Sequence, residues 1–106
     1  MKVTFRQSGG IGGLVKGKEL DSEQMPAEEA AKLETLVRQS DITEDLVDHS
    51  PTARDVYRYD LTIDHGGQTR RLSIDDRTLP DRARPLIRFL QSHATPLPRQ
   101  GSGNPQ

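Results

Sequence analysis

The residues of this chain whose types suit chemistry are three histidines, the acidic pairs Asp75-Asp76 and Glu28-Glu29, and a serine set before glycines. Their spacing decides what they can do. His49, His65 and His93 fall in a connector, a hairpin turn and a helix end, with no two at metal-ligand spacing and no His-Glu-x-x-His motif. They read as surface or capping histidines, and no metal or cofactor is expected. An acid and a base must converge on one substrate, but neighbours on a strand point to opposite faces and neighbours on a helix diverge. The acidic pairs therefore read as solvated or capping. Ser8 lacks both a Gly-x-Ser-x-Gly elbow and a following helix, and Gly17-Lys18-Glu19 lacks the hydroxyl that ends a phosphate loop. No catalytic residue emerges, so the chain reads as a non-enzyme. Arg6, Lys16, Lys18, Arg70 and Arg71 make at most a modest basic patch. With no interleaved aromatics and a formal net charge of -1, nucleic acid is not expected as a partner.

What remains is the stretch Ser8, Gly9, Gly10, Ile11, Gly12, Gly13 and Leu14, with four glycines in its first six residues. A glycine-rich turn can do no more than reverse the chain, yet two details point further. A hairpin needs only two turn residues, so the extra length is a cost that function explains. Ile11, flanked by glycine pairs, has no core to join. An apolar tip on an adaptable backbone suits insertion into another protein's cleft.

The elements that must carry this tip follow from the pattern of the chain. At 106 residues with 31% hydrophobic residues, four aromatics and no Trp, it makes one domain with a thin core of Leu, Ile and Val. A deep cofactor cavity is unlikely on size grounds. Val3 and Phe5 alternate with polar neighbours in a first strand, and residues 14–20 return as a weaker one in which Gly17 marks a bulge or edge. A helix is predicted from about Pro26 to Ser40, with Ala30, Leu33, Leu36 and Val37 as its apolar stripe. Residues 41–54 read as an irregular connector anchored by Ile42, Leu46 and Val47. Tyr57, Tyr59, Leu61 and Ile63 alternate before Gly66-Gly67, and Leu72 and Ile74 after it, which predicts a hairpin with Leu61 facing Leu72 and Tyr59 facing Ile74. A last helix runs from Pro80 or Asp81 to about His93, with Pro85 tolerable only in its first turn. The expected fold is α+β, a two-layer sandwich in ββαββα order, with an antiparallel sheet of two hairpins and both helices on one face. Residues 1–94 form the domain and 95–106 a disordered tail. Without cysteine, a signal peptide or an apolar run of about 20 residues, the expected location is the cytoplasm.

The opening Met1-Lys2-Val3-Thr4-Phe5-Arg6-Gln7-Ser8-Gly9-Gly10-Ile11-Gly12-Gly13-Leu14 with Glu19-Leu20-Asp21 resembles the start of the emfourins, protein inhibitors of protealysin and related thermolysin-like zinc metallopeptidases. The likeness extends through Pro26–Ser40, Tyr59–Asp76, Leu79-Pro80 and Arg84-Pro85-Leu86 to about residue 93. It implies that Ser8 to Leu14 enters the active-site cleft of such a peptidase, Ile11 or Leu14 serving as apolar anchor and glycine backbone groups bonding the cleft wall. The zinc would be blocked and left in place. A monomer when free is expected. Whether the Gly66-Gly67 turn or residues 48–54 add a second contact is left open. The rival reading is a non-inhibitory adaptor that uses the same loop.

Overall fold

The computed structural model describes residues 1–9, 15–50 and 56–97 of the chain. Strand β1 (Lys2–Gly9) pairs antiparallel with β2 (Lys16–Asp21) on one side and with β4 (Tyr57–His65) on the other. Strand β4 pairs in turn with β5 (Gln68–Asp75), and the register places Leu61 against Leu72, Tyr59 against Ile74 and His65 against Gln68. That register follows from the alternating sequence, because a slip of one residue would turn every apolar side chain to solvent. Along β1 the alternation is equally plain: Val3, Phe5 and Gln7 are buried, while Lys2, Thr4 and Arg6 are exposed.

Two short strands correct the expected ββαββα order and the all-antiparallel sheet. Strand β3 (Leu46–Asp48) pairs parallel with β5, and β6 (Thr95–Pro96) pairs antiparallel with β2, giving a six-stranded sheet in the order β3-β5-β4-β1-β2-β6. A run of two or three residues is too short to show a period, so neither strand is visible as a pattern. Leu46 and Val47 were expected to anchor the connector in the core, yet Val47 is 76% exposed and Leu46 37%. Backbone pairing holds this segment, and of the three expected anchors only Ile42 packs against the core. Thr95 and Pro96, assigned by composition to the tail, belong to the sheet, and residues 98–106 lie outside the described residues.

Helix α1 (Ala27–Ser40) begins just after Pro26 and ends at Asp41, a non-glycine residue in the left-handed region at φ 54°. A short aspartate tolerates that conformation. The Arg82 guanidinium donates to the Ser40 carbonyl at 3.1 Å, placing a cation on the negative end of the helix. Helix α2 (Arg84–His93) carries Pro85 in its first turn, where no intrahelical donor is lost. Leu86, Ile87, Phe89 and Leu90 of α2 and Leu33 of α1 share one core with the inward residues of β1, β2, β4 and β5. Leu33 is α1's one fully buried large side chain, since Leu36 and Val37 are only partly buried. Leu33→Ala is therefore expected to cost about 2–5 kcal/mol, a large share of a small domain's stability, read as a lowered urea midpoint.

The two helices also meet through His93, whose Nε2 lies 3.0 Å from the Glu29 carboxylate and whose Nδ1 lies 2.9 Å from the Phe89 carbonyl. The carbonyl and then the carboxylate raise its pKa, outweighing burial and the Lys18 cation. Because the folded pKa exceeds the unfolded value near 6.5, the stabilisation is complete below that value and is lost as pH rises through the folded pKa. The pair is partly exposed, so the slope is shallow. Urea midpoints of the wild type should fall on that rise relative to His93→Gln, and parallel curves would show that His93 carries no such linkage.

Candidate binding site at the glycine-rich end of the sheet

The sheet register sorts the connections to two ends. Lys2 pairs with Asp21 and Asp64, so the Gly66-Gly67 turn lies at the end where β1 begins. Gly9 pairs with Tyr57 at the other end, about 23 Å away for seven strand steps. Of the predicted site residues, Gly10, Ile11, Gly12, Gly13 and Leu14 lie outside the described residues. Ser8 and Gly9 are half-buried and belong to β1, where they pair with Arg58 and Tyr57 of β4. The β1–β2 ladder stops earlier, at Gln7 and Lys16.

Gly9 is required by two features of its surroundings. Its φ is +88°, and a Cβ there would stand 2.8 Å from the Val56 carbonyl oxygen, a backbone atom with little room to give. Gly17 answers a similar demand in β2, since a Cβ there would collide with the Phe5 carbonyl and crowd the Leu97 δ-methyl at 3.1 Å. Gly17 thus marks a close approach within a strand paired on both sides, where the sequence suggested a bulge or an edge. Below this end, buried polar groups satisfy one another. Gln91 Nε2 donates to Gln7 Oε1 at 2.8 Å, and the Tyr59 hydroxyl donates to Asp76 Oδ1 at 2.9 Å. Burial first, and that bond second, push the Tyr59 pKa well above the usual phenol value.

Asp75 ties three chain segments together at the same end. Its carboxylate accepts from the backbone N–H of Ser50 at 2.6 Å, of Arg77 at 2.8 Å and of Thr78 at 3.0 Å. Burial alone would raise its pKa, but these donors favour the charged form and hold it below the ordinary carboxylate value. The Thr78 hydroxyl accepts from the Asp75 N–H and donates to the Asp48 carbonyl, so the residues after β3 are fastened twice to the β5–α2 turn. The local half of this knot, an aspartate accepting from residues two and three ahead, is legible in Asp75-Asp76-Arg77-Thr78. Its bond to Ser50, 25 residues back, carries no sequence signal.

His49 and Ser73 lie as close as a nucleophile and its base, with Nε2 2.9 Å from Oγ. Arg58 Nη2 stands 3.1 Å from Nδ1 and 3.5 Å from Nε2, so the guanidinium lies over the imidazole ring and is aligned with neither nitrogen's lone pair. Among the described residues no carboxylate bonds His49 to orient it as a base. The cluster is a surface polar link between β3, β4 and β5. Among the described residues no three His, Cys, Asp or Glu side chains gather to hold a metal ion. A cleft of about 380 Å³ lies at the opposite end, lined by Met1, Val37, Ile42, His65 and Arg70. Arg70 is already engaged there by the Thr43 carbonyl and Gln68.

The sequence profile of the Emfourin family matches residues 5–91, most of the chain, from within β1 to within α2. The chain belongs to the Emfourin family. No curated protein and no solved structure matches it. Membership in the Emfourin family implies an inhibitory role toward metallopeptidases. No helix among the described residues is long and apolar enough to cross a membrane.

The Gly9 geometry yields a direct expectation. Gly9→Ala should cost about 1–3 kcal/mol through the strained backbone and the clash with Val56, visible as a lowered melting temperature. An unchanged melting temperature would mean that this end of the ladder is not held as described.

Proposed function

We propose that this emfourin inhibits thermolysin-like zinc metallopeptidases by occupying the active-site cleft with Ser8, Gly9, Gly10, Ile11, Gly12, Gly13 and Leu14. Family membership is the observation that carries this reading. The anchoring of Ser8 and Gly9 on β4 supports it, because a loop rooted in a strand laddered on both sides enters a cleft with fewer arrangements to lose. Ile11 or Leu14 fills the peptidase's apolar pocket, and glycine backbone groups bond the cleft wall as an extended substrate does. The catalytic zinc is covered and stays with the enzyme. The chain acts as a monomer in the cytoplasm, on a peptidase of the protealysin type.

Hydrolysis of a peptide substrate by a thermolysin-like enzyme, with and without the protein, tests the reading directly. The wild type should abolish turnover, and the double variant Ile11→Asp, Leu14→Asp should raise the inhibition constant by about tenfold or more, the loss of one hot-spot contact. Gly10→Pro should weaken inhibition separately, by removing backbone freedom and an N–H donor. Equal inhibition by wild type and double variant would show that the tip is not the anchor.

A further inference from the structure

On the face of the sheet that the helices cover, β4 and α2 leave a hollow of about 260 Å³ beside the root of the glycine-rich loop. Tyr57, the β4 partner of Gly9, lines it and stands 43% exposed. Gln91 of α2 lines it too, and its Nε2 is bonded to Gln7, which lies two residues before Gly9 and so faces the same side of β1. The hollow therefore adjoins the loop-bearing strand at Gly9 and again at Gln7. Its size falls below the roughly 300–1,000 Å³ of ligand pockets, and Leu79 and Ile87 give it a buried apolar lining, so it suits one inserted side chain. Most of its polar groups are already engaged. The Tyr59 hydroxyl bonds the Asp76 carboxylate, and Arg84 is taken up by Asp81 at 3.2 Å and by the Asp76 carbonyl. Arg88 is exposed and makes no hydrogen bond or ion pair among the described residues. An aromatic wall and an unspent guanidinium thus share one hollow on one face, next to Gly9.

We propose that the hollow between Tyr57 and Arg88 receives an acidic side chain from the rim of the bound metallopeptidase. The inference rests on the inhibitory reading above and adds to it a second contact of stated place and charge. A standard interface takes about 20–30 residues a side, whereas Ser8 to Leu14 are seven. The enzyme must therefore settle on surface that adjoins the loop, and on the α2 side of the sheet that surface is the hollow. The N–H donors of Arg88 are unspent, and a carboxylate is the acceptor they can hold two at a time. The Tyr57 ring beside it supplies contact area at little cost in side-chain freedom, and tyrosine and arginine are among the residue types that dominate interface energies. The Gly66-Gly67 turn, beyond the other end of β1, has no part in this contact.

Inhibition constants against a thermolysin-like peptidase, measured for the full chain and its single variants, test this. Arg88→Glu should raise the constant by about tenfold or more, by setting carboxylate against carboxylate, and Tyr57→Ala by about fivefold. Arg38→Glu makes the same change of charge beside Met1 and His65, at the far end of the sheet, and should leave the constant within about twofold. Melting curves establish that each variant is folded, and Arg88→Glu, at an exposed helix position, decides the matter alone if Tyr57→Ala does not fold. A folded Arg88→Glu that inhibits like the wild type, or that loses no more than Arg38→Glu, would overturn the contact. Weakened inhibition by Ile11→Asp in the same assay would then leave the functional reading standing. A wild type that does not inhibit at all would overturn both.

Discussion

Strand β1 has no free edge, and the rest of the molecule is arranged around that constraint. It is laddered to β4 along its whole length and to β2 along most of it, so its path is set by hydrogen bonds on both sides. The two ladders end at different residues, Gln7 toward β2 and Gly9 toward β4. Ser8 and Gly9 are therefore released from β2 while still held by β4, and Gly9 lies so close to the Val56 carbonyl that only glycine fits.

The inner face of β1 changes character along the same direction. Val3 and Phe5 meet an apolar core, but Gln7, one step nearer the loop, is buried against Gln91, and Tyr59 beside it bonds Asp76. Buried polar pairs of this kind add little net stability, yet each becomes costly if its partner is displaced. They hold the loop-bearing end in one arrangement where a chain this poor in apolar residues has no further hydrophobic side chains to spend. On the outer face, Arg58, His49 and Ser73 do the same through surface bonds.

Much of this was legible in the sequence, and the limits have physical causes. The β4–β5 hairpin was readable to the residue because Tyr57, Tyr59, Leu61 and Ile63 before a two-residue turn and Leu72 and Ile74 after it admit one apolar register. The helices were readable from their apolar spacing, but the last begins at Arg84 and not at Pro80 or Asp81, which is what puts Pro85 in a first turn. Strands β3 and β6 were not, since two or three residues show no period and Val47 and Leu46 look like core residues to any hydrophobicity count. The loop itself stood out by composition and by elimination of chemistry. Its surroundings did not, because Ser50 meets Asp75, and Tyr57 meets α2, only through the register and the turn, at separations that no local pattern encodes.

The composition of the loop also bears on how much of an inhibitory interface it can supply. Ordering a residue's backbone costs roughly 1–2 kcal/mol, so fixing Gly10 to Leu14 in a cleft costs roughly 5–10 kcal/mol, toward the upper end where three of the five are glycines. Burying two aliphatic side chains returns about 3–6 kcal/mol, and each backbone hydrogen bond to the cleft wall about 1 kcal/mol net. The tip thus comes close to balancing its own ordering and leaves little for the cost of association. Tight binding must draw on surface that is already ordered in the free protein, where burial is gained without loss of chain freedom. The strands laddered around Gly9 are such a surface.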